Sequence, residues 1–454
     1  MINLKKKLIL YELNEVPIKV LEFYSKVRPK SNIAYFLEKN KISQTITNDI
    51  GELHPWSTWP TVHRGVNNDI HQINFINQDL SHAKQWPPIW EKLAYKDISI
   101  GIFGSLQSFP PFIHKNTKFY LPDTFSPSYI SFPKDLEIFQ KFNLHIVNRN
   151  KALTRKFSIV DITNFFKLVI SRDIKINSIF QIIKHIILEI FLSRYKKRRS
   201  LMQGILSFDV YEKYLIKNLP DFSTYFTNHV AGMMHRYWKD TFEKENLNKE
   251  SLFNKFSIIK AMDIVDNQIG RLLKISKKFN YEIIILSSMG QEAKDWGEYF
   301  PEFYIGNIRN LIKLLHLDIN NYKLLPAMQP DLCIECKDKE SKILLENKIN
   351  NIKSIHGKSL LPIRYKNSGL KLNISIQKCL STVKNKYILL NGRKIPLSSV
   401  GIEIIERDKG TGYHVKEGVL LYEGKNLEKI FKPKKKIINT NKIHNMVLKF
   451  FNII

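Results

Sequence analysis

Short, continuously apolar segments alternate with amphipathic segments along most of the chain. The apolar segments KKLILYEL, DISIGIFGS, FSTYFTNHV and YEIIILSSMG predict strands, and VPIKVLEFYSKV, PPIWEKLAYK and residues 256–279 predict helices between them. Continuous apolar strands separated by helices are typical of a parallel sheet covered on both faces. The pattern therefore predicts an α/β fold with a mainly parallel central sheet and helices on both faces.

Two regions depart from this alternation. Residues 150–205 are apolar, basic and helical in pattern, which predicts a helical insertion. Residues 330–400 contain the strand-like segments DLCIEC, LKLNISI, KYILLNG and SVGIEII, which predict a small α+β subdomain. The predicted organisation is then a core in three parts (1–149, 206–329 and 401–430), these two inserted pieces, and a basic C-terminal tail at 431–454.

The helical insertion at 150–205 also contains the segment that could contact a membrane. Its segment SIFQIIKHIILEIFL is too short and too interrupted to span a bilayer, so it either packs on the core or lies on a membrane surface. The N-terminal apolar run ends at Glu12 and lacks a small-residue cleavage site, so it predicts a first strand rather than a signal peptide. We expect a cytoplasmic protein, with peripheral contact to the inner membrane as one option.

Composition and net charge limit the classes of molecule that the protein could bind. The 454 residues are 43% hydrophobic and 12% aromatic, as expected for a folded protein, and carry a net charge of +29. This charge has two alternative explanations: the lysine usage of an AT-rich genome, or a functional anionic partner. Phosphorylated substrates, an anionic membrane surface or nucleic acid would suit it, but no zinc-finger spacing or RNP-like motif supports nucleic acid.

The cysteines indicate a reducing compartment. The chain has Cys333, Cys336 and Cys379, and an odd number cannot form a fully paired disulfide framework. The C-x-x-C of the first two lies in a strand-like segment without the second C-x-x-C that a zinc site would need. We interpret these residues as structural or incidental.

The stretch PWSTWPTVHRG, residues 55–65, raises two alternatives. It predicts a short helix that ends at Gly65. A hydroxyl just ahead of a helix can face a phosphate, because free N–H groups and the positive end of the helix dipole point outward there. Alternatively, Ser57 or Thr58 is an N-cap and Pro60 starts the helix.

Polar residues collect where the predicted strands end. In parallel sheets the chemistry lies in loops at the carboxyl ends of strands. Those loops here are residues 12–14, 104–111, 228–229 and 287–291. Histidines that could join them are His63 in the predicted short helix, His229 and His235 in HVAGMMHRYW, and His414 in the glycine-containing loop of GTGYHVKEGVLLY.

The order of these motifs resembles the alkaline phosphatase superfamily, especially its nucleotide pyrophosphatase and type I phosphodiesterase branch. The motifs are a first strand ending in an acid, a T-W-P loop before G-V-N, a strand leading into H-R-Y-W, an apolar strand ending in S-x-x-G, and a late G-x-H before E-G-x-L. WPTVHRGVNNDIHQI, DISIGIFGSLQSFPP and VDNQIGRLL support it. The resemblance covers residues 1–130, 205–305 and 405–425 and skips both inserted pieces.

The resemblance implies a bimetallic site, usually of zinc, that activates a Thr or Ser nucleophile. Thr58 matches the nucleophile, and Glu12 replaces the Asp of the first strand, with Asn14 as a second candidate. Since a Thr hydroxyl is a poor nucleophile without a metal or a base, His63 and His229 are candidate bases.

The metal ligands that the family uses are only partly present. Ser288 and Met289 replace the Asp and His of S-D-H-G, and they cannot hold zinc. His235 and His414 match ligands of the other metal, whose Asp is Ala231 here. We expect one Zn or other divalent metal, or none, with His229 or Asn228 as third ligand.

The resemblance therefore leaves two functions open. One is a phosphoric-ester hydrolase or phosphotransferase acting on a phosphorylated nucleotide, sugar or lipid-linked substrate. The other is a catalytically inactive member of the same fold that binds a phosphorylated ligand or a protein partner. PWSTWPTVHRG and NHVAGMMHRYW also resemble a bacterial subgroup encoded among surface-polysaccharide genes.

The resemblance also predicts which residues converge. We expect His235 to form the wall of one pocket that collects the other candidates: Glu12, Thr58, Asn228, His229, Ser288 and His414.

Overall fold

The computed structural model describes most of the chain, and Cys379 lies outside the described part. The described residues are 5–149, 163, 168, 174–243, 249–295, 302–305, 308–328, 331–365, 369–376, 386–405, 410–431 and 437–454. The chain divides into two units. The first comprises residues 1–72, 85–295 and 410–454, and the second comprises 73–84 and 296–409.

The strands are short and most of their residues are buried. In chain order they are β1 (Leu8–Leu13), β2 (Ile42–Ile46), β3 (Ile100–Phe103), β4 (Thr117–Leu121), β5 (Phe222–Thr227), β6 (Glu282–Leu286), β7 (Gly290–Ala293), β8 (Glu302–Ile305), β9 (Tyr322–Leu325), β10 (Leu332–Cys336), β11 (Ile352–Lys353), β12 (Ile363–Tyr365), β13 (Lys371–Ile374), β14 (Tyr387–Leu390), β15 (Arg393–Pro396), β16 (Ile402–Ile405), β17 (Gly412–Val415), β18 (Glu417–Glu423) and β19 (Ile438–Asn439).

The helices lie between these strands. They are α1 (Ile18–Val27), α2 (Asn32–Glu38), α3 (Pro55–Arg64), α4 (Asn68–His71), α5 (Ile89–Ala94), α6 (Glu137–Arg149), α7 (Ile176–Phe191), α8 (Arg199–Asn218), α9 (His229–Phe242), α10 (Lys249–Phe279), α11 (Ile308–Leu314), α12 (Lys339–Asn350), α13 (Lys425–Phe431) and α14 (Ile443–Phe450). The strands and helices predicted from KKLILYEL, VPIKVLEFYSKV, PPIWEKLAYK and YEIIILSSMG are confirmed.

An eight-stranded sheet forms the centre of the first unit. Its strand order is β19-β2-β18-β6-β1-β5-β3-β4, and only β18 runs antiparallel to its neighbours. The predicted mainly parallel α/β fold is therefore confirmed. Because the carboxyl ends of β1, β5 and β6 meet at one edge, the residues that follow them are brought close together.

Helices cover the sheet on both faces. Along β1, Ile9, Tyr11 and Leu13 join one buried apolar cluster with residues of α1, α8, α9 and α10. Leu8 and Leu10 join a second cluster with residues of α3, α5 and α14. Successive side chains of a strand point to opposite faces, so Glu12 lies on the face that α3 covers.

The short helix α3 begins earlier than either sequence interpretation requires, because each places a hydroxyl ahead of the helix. It starts at Pro55, after His54 as N-cap, and ends at Gly65, which has a left-handed φ of 76°. The prediction that Ser57 or Thr58 caps the helix is wrong, because Pro55 rather than Pro60 occupies the first helical position. Thr58 therefore lies one turn inside the helix, and its N–H donates to the carbonyl oxygen of His54.

The second unit contains small sheets with mainly antiparallel pairing. These are β12-β13-β10-β9, β11-β14-β15 and the pair β16–β8. Its apolar core includes residues of α11, α12 and β10. Cys333 and Cys336 on β10 are free and buried, and burial raises the pKa of their thiols to about 12 and about 11.

The predicted helical insertion is described from residue 174 onward, where α7 and the start of α8 are helical. Its earlier part falls mostly outside the described residues, as do residues 432–436 of the predicted basic tail. Across the part of the chain that the structure describes, no helix is both long and apolar enough to cross a membrane.

Candidate functional site

A carboxylate and two imidazoles converge in the first unit. They belong to Glu15, just beyond β1, His235 on α9, and His414 on β17. One ligand atom from each side chain lies within 4.8 Å of the others. The ring centroids of the two histidines are 5.1 Å apart, so their predicted proximity is confirmed.

The backbone orients both imidazoles. Nδ1 of His235 lies 2.9 Å from the carbonyl oxygen of Gly412, and Nδ1 of His414 lies 2.7 Å from that of Leu53. Because a carbonyl oxygen only accepts hydrogen bonds, each Nδ1 carries the hydrogen. Each Nε2 consequently faces the carboxylate of Glu15.

The two Nε2 atoms approach one carboxylate oxygen. Oε2 of Glu15 is 2.9 Å from Nε2 of His235 and 3.3 Å from Nε2 of His414. Neutral imidazoles would direct two lone pairs at this oxygen, so the arrangement needs a positive charge. Protons on Nε2 or a metal ion among the three groups would each supply it.

Two amide side chains hold the carboxylate in place. Nδ2 of Asn14 donates to Oε1 of Glu15 over 2.8 Å, and Nε2 of Gln291 donates to Oε2. Burial favours the neutral acid, but the imidazoles of His414 and His235 outweigh it and hold the pKa of Glu15 well below its usual value. Burial would lower the pKa of His235, yet the charge of Glu15 raises it.

The donor set fits a divalent metal. Imidazole nitrogen and carboxylate oxygen are the ligands that zinc and related ions take, and histidine ligands of metals characteristically donate their other ring N–H to a carbonyl or carboxylate. The side chain of His235 is 33% exposed, which leaves one side of the cluster accessible from solvent. Glu15, His235 and His414 are therefore candidate ligands of one metal.

His414 lies on a strand rather than in the loop expected from GTGYHVKEGVLLY. β17 pairs antiparallel with β7, so His414 faces Gln291 and Gly412 faces Ala293. Beyond the last pair, the N–H of Lys294 donates to the carbonyl oxygen of Thr411. The strand pair therefore carries one candidate ligand and the amide that supports Glu15.

Thr58 contacts Ser288 instead of a histidine or a carboxylate. Their hydroxyl oxygens are 2.8 Å apart, and both side chains are fully buried. Ser288 follows β6, at the same sheet edge as Glu15. Two neutral hydroxyls form this pair, so neither partner can take a proton from the other as a base would.

Asn14 links the carboxylate of Glu15 to Asn228, another predicted site residue at this edge of the sheet. Its Nδ2 donates to Oδ1 of Asn228 over 2.7 Å as well as to Glu15, and its Oδ1 accepts from Nε1 of Trp59. Asn228, unlike Asn14, is exposed. The amide of Asn228 is therefore available at the surface, one hydrogen bond away from the carboxylate group.

Glu12 and His63 pair with each other. Oε1 of Glu12 lies 2.7 Å from Nε2 of His63, and both side chains are buried between β1 and α3. The His63 ring packs against Trp59 and Trp90. The predicted acid of the first strand is thus engaged within the apolar core, and Glu15, three residues later, supplies the carboxylate beside the histidines.

His229 lies apart from the candidate ligands. Its Nδ1 bonds to the hydroxyl of Thr227 over 2.7 Å, and its Nε2 bonds to the carbonyl oxygen of Ala261 over 3.2 Å. The ring packs so closely on Gly204 that a Cβ there would lie 2.7 Å from Nδ1. Burial lowers the pKa of His229 to about 4. The structure therefore does not bring His229 into the group formed by His235 and His414.

Glu15 is the residue that the sequence interpretation missed. It lies just beyond the apolar strand LILYEL, at the strand end where functional side chains were expected, and it has a left-handed φ of 62°. Ala231, at which the resemblance expects an Asp, accepts a hydrogen bond from Gln291 through its carbonyl oxygen over 3.3 Å. Gln291 thus bonds both to the backbone of Ala231 and to the carboxylate of Glu15.

His54 borders the cluster from the start of α3. Its ring stacks on Trp56 at a centroid distance of 4.4 Å and meets the His414 ring edge-on at 5.9 Å. Burial lowers the pKa of His54 to about 4, and the charge of Glu52 opposes this shift. His54 is consequently neutral at pH 7.

No family model and no curated protein matches the sequence. Solved structures match along almost the whole chain. Murine ectonucleotide pyrophosphatase/phosphodiesterase 5 is 13% identical with a TM-score of 0.40, over 98% of this chain and 95% of that chain. Phosphonoacetate hydrolase from Sinorhizobium meliloti 1021, in complex with phosphonoformate, is 9% identical with a TM-score of 0.43, over 99% and 96%.

A third match is the alkaline phosphatase from the Antarctic bacterium TAB5. It is 11% identical with a TM-score of 0.39, over 99% of each chain. The chain is similar in structure to these proteins. At such low identities and TM-scores, the likeness alone assigns no activity to this chain.

Proposed function

We propose that the protein is a phosphoric-ester hydrolase or phosphotransferase related to the alkaline phosphatase superfamily, with one divalent metal held by Glu15, His235 and His414. The observation that supports it is the convergence of three ligand atoms within 4.8 Å, with both histidines oriented by backbone carbonyls. A bound metal would neutralise charge on phosphoryl oxygens and lower the pKa of a nucleophile.

Thr58 is the candidate nucleophile of this proposal. Its position on α3, the resemblance of T-W-P to the nucleophile loop, and the closeness of His54 at the helix start to His414 support this role. Ser288 orients the Thr58 hydroxyl through their hydrogen bond. The exposed amide of Asn228 offers a donor for a phosphoryl oxygen.

The proposed substrate is a small phosphorylated molecule, either a nucleotide, a sugar phosphate or a lipid-linked phosphate. The net charge of +29 favours an anionic substrate through long-range attraction. The resemblance to the subgroup encoded among surface-polysaccharide genes favours the sugar and lipid-linked classes. The buried free thiols of Cys333 and Cys336 suit a reducing compartment, so we propose a cytoplasmic location.

A second candidate function is binding without catalysis. It is favoured by the Thr58–Ser288 pair, in which the hydroxyl of the candidate nucleophile is fully buried and bonds to a neutral hydroxyl. In this case the cluster would bind a phosphorylated ligand or a protein partner without turnover. Metal content and activity together distinguish the two functions.

The test measures both quantities on the purified full chain. Bound Zn²⁺ and Mn²⁺ are quantified by mass spectrometry after dialysis, and hydrolysis of a chromogenic phosphomonoester and phosphodiester is followed. We expect one metal per chain, lost in Glu15→Gln, His235→Ala and His414→Ala. His356→Ala, which changes an exposed histidine of the second unit, is the matched control and should retain the metal.

The outcomes separate the alternatives. Metal-dependent hydrolysis that disappears with the ligand variants supports the enzyme. Stoichiometric metal without hydrolysis of any phosphate ester favours the binding function. A protein that binds no divalent metal, or whose metal survives all three ligand substitutions, contradicts the proposed site.

A further inference from the structure

The outer side of α7 exposes a continuous apolar stripe. At 100° per residue, the exposed apolar positions of this helix fall within an arc of about 100°. They are Ile176, Phe180, Ile183, Ile187, Ile190 and Phe191, with exposures between 44% and 79%.

The opposite side of α7 is anchored in the core. Its buried residues are Ser178, Ile182, His185 and Glu189, and Ile182 belongs to the apolar cluster of the main sheet. The helix is therefore held by one face while it presents large apolar side chains on the other. A stripe of this extent on a water-soluble surface marks an interaction site.

Basic side chains border the stripe. Lys184 is exposed beside it, and Arg194 and Lys196 are exposed in the 3-10 helix that follows, Ser193–Arg198. The single acidic residue of α7, Glu189, is buried and ion-paired with Arg199. The exposed side of α7 consequently combines apolar and cationic groups without an acidic one.

We propose that this face of α7 docks on the surface of an anionic phospholipid bilayer. An amphipathic helix lying in the interface buries its apolar side chains at the boundary of head groups and acyl chains, while Lys and Arg attract anionic lipids. The basic residues beside the stripe favour an anionic bilayer as the partner, because an apolar stripe alone could equally well bind a protein. The proposal does not depend on the metal site.

The experiment uses the full chain and sedimentation with vesicles. One vesicle preparation contains phosphatidylglycerol and phosphatidylcholine, and the other contains phosphatidylcholine alone. We expect binding to the anionic vesicles that weakens as salt is raised from 0.05 to 0.5 M, since screening reduces surface electrostatics. Binding to the neutral vesicles should be at least about tenfold weaker.

Two sets of variants test the apolar stripe and the basic residues separately. Ile187→Ser with Phe191→Ser should lower partitioning by about tenfold or more, because both side chains leave the apolar phase. Lys184→Gln with Arg194→Gln and Lys196→Gln should lower it about fivefold per charge. Ile113→Ser, at an apolar residue that is 59% exposed outside α7, is the matched control and should bind like the parent protein.

Three results would overturn the proposal. The first is the absence of sedimentation with anionic vesicles, and the second is binding unaffected by both variant sets. The third is concentration-dependent self-association, measured by light scattering, that the Ile187→Ser and Phe191→Ser pair abolishes without any vesicle binding. That last result would assign the stripe to a second copy of the chain. Melting temperatures confirm that each variant is folded.

Discussion

The hydroxyl oxygens of Thr58 and Ser288 lie 2.8 Å apart in a fully buried pair. If Thr58 is the nucleophile, Thr58→Ala should reduce phosphate-ester hydrolysis by at least about 1,000-fold. Thr58→Ser keeps a hydroxyl and should retain measurable activity. Ser57→Ala is the matched control, since it removes a neighbouring buried hydroxyl oxygen of the same helix that has no hydrogen-bond partner. Activity surviving in Thr58→Ala would place the nucleophile elsewhere.

A charge placed next to Thr58 should increase its reactivity. Because Ser288 is its direct partner, Ser288→Asp would put a carboxylate within reach of the Thr58 proton. We expect hydrolysis of a chromogenic ester to increase by about 100-fold, the usual contribution of a positioned base. Ser288→Asn has a similar size without the charge and should give no increase. Equal rates for the two variants would argue against proton removal from Thr58.

The amide of Gln291 should control metal affinity without being a ligand. It donates to Oε2 of Glu15, so Gln291→Ala frees the carboxylate to rotate. We expect Zn²⁺ affinity, measured by competition with a chromogenic chelator, to fall about 10- to 100-fold. Glu292→Gln, at the exposed next position of β7, should change affinity much less. Similar losses in both variants would indicate a general effect of β7.

The buried pair of Glu12 and His63 should stabilise the fold. His63→Ala leaves the Glu12 carboxyl buried without its partner, and we expect a loss of about 3 kcal/mol in the free energy of unfolding. The variant with both Glu12→Gln and His63→Ala should lose less than the sum of the two single changes. Urea unfolding measures all three. Strictly additive losses would mean that the two residues do not interact.

Acid should destabilise the protein through His229. Its pKa is about 4 when folded and about 6.5 when unfolded, so below pH 6.5 the unfolded chain binds a proton that the folded chain does not. Its contribution is present above pH 6.5 and is lost as the pH falls toward 4, by about 3 kcal/mol. Unfolding of His229→Gln between pH 7 and 4 should show a shallower decline than the parent protein.

His356→Gln controls for the loss of an exposed histidine and should decline as the parent does. Burial lowers the pKa of His54 and His444 to about 4 as well, so His229→Gln removes only part of the slope. An unchanged slope in His229→Gln would show that the pKa of His229 is the same in the folded and the unfolded chain.

The periodicity of the sequence predicts the centre of the sheet because β1, β3 and β6 are buried along almost their whole length and their apolar runs are nearly unbroken. Motif order predicts that His235 and His414 meet. The strand position of His414 was missed because β17 pairs with β7, which is far away in the sequence. Such long-range pairing leaves little local signal.

The sequence alone does not show which of two acids, Glu12 or Glu15, contacts the candidate histidine ligands. Both acids lie at the end of one strand, and their spacing alone does not tell which of them meets the histidines. Glu12 faces α3 because successive side chains of β1 point to opposite faces of the sheet. Glu15 lies beyond the end of β1, where its own positive φ turns the backbone, and its side chain contacts His235 and His414. Deciding between them requires the three-dimensional packing of α3 and α9.

The pairing of β7 with β17 has a consequence for changes in chain length. The long excursion between these strands leaves after Ala293 and returns at Gly412, across two facing residues. The entropy lost on closing a flexible loop grows only with the logarithm of its length, so an insertion into a connecting loop of this excursion costs little while the apolar core of the second unit is kept. The ladder keeps Gln291 opposite His414 in that case. Insertions into those connecting loops are therefore compatible with an unchanged set of candidate ligands.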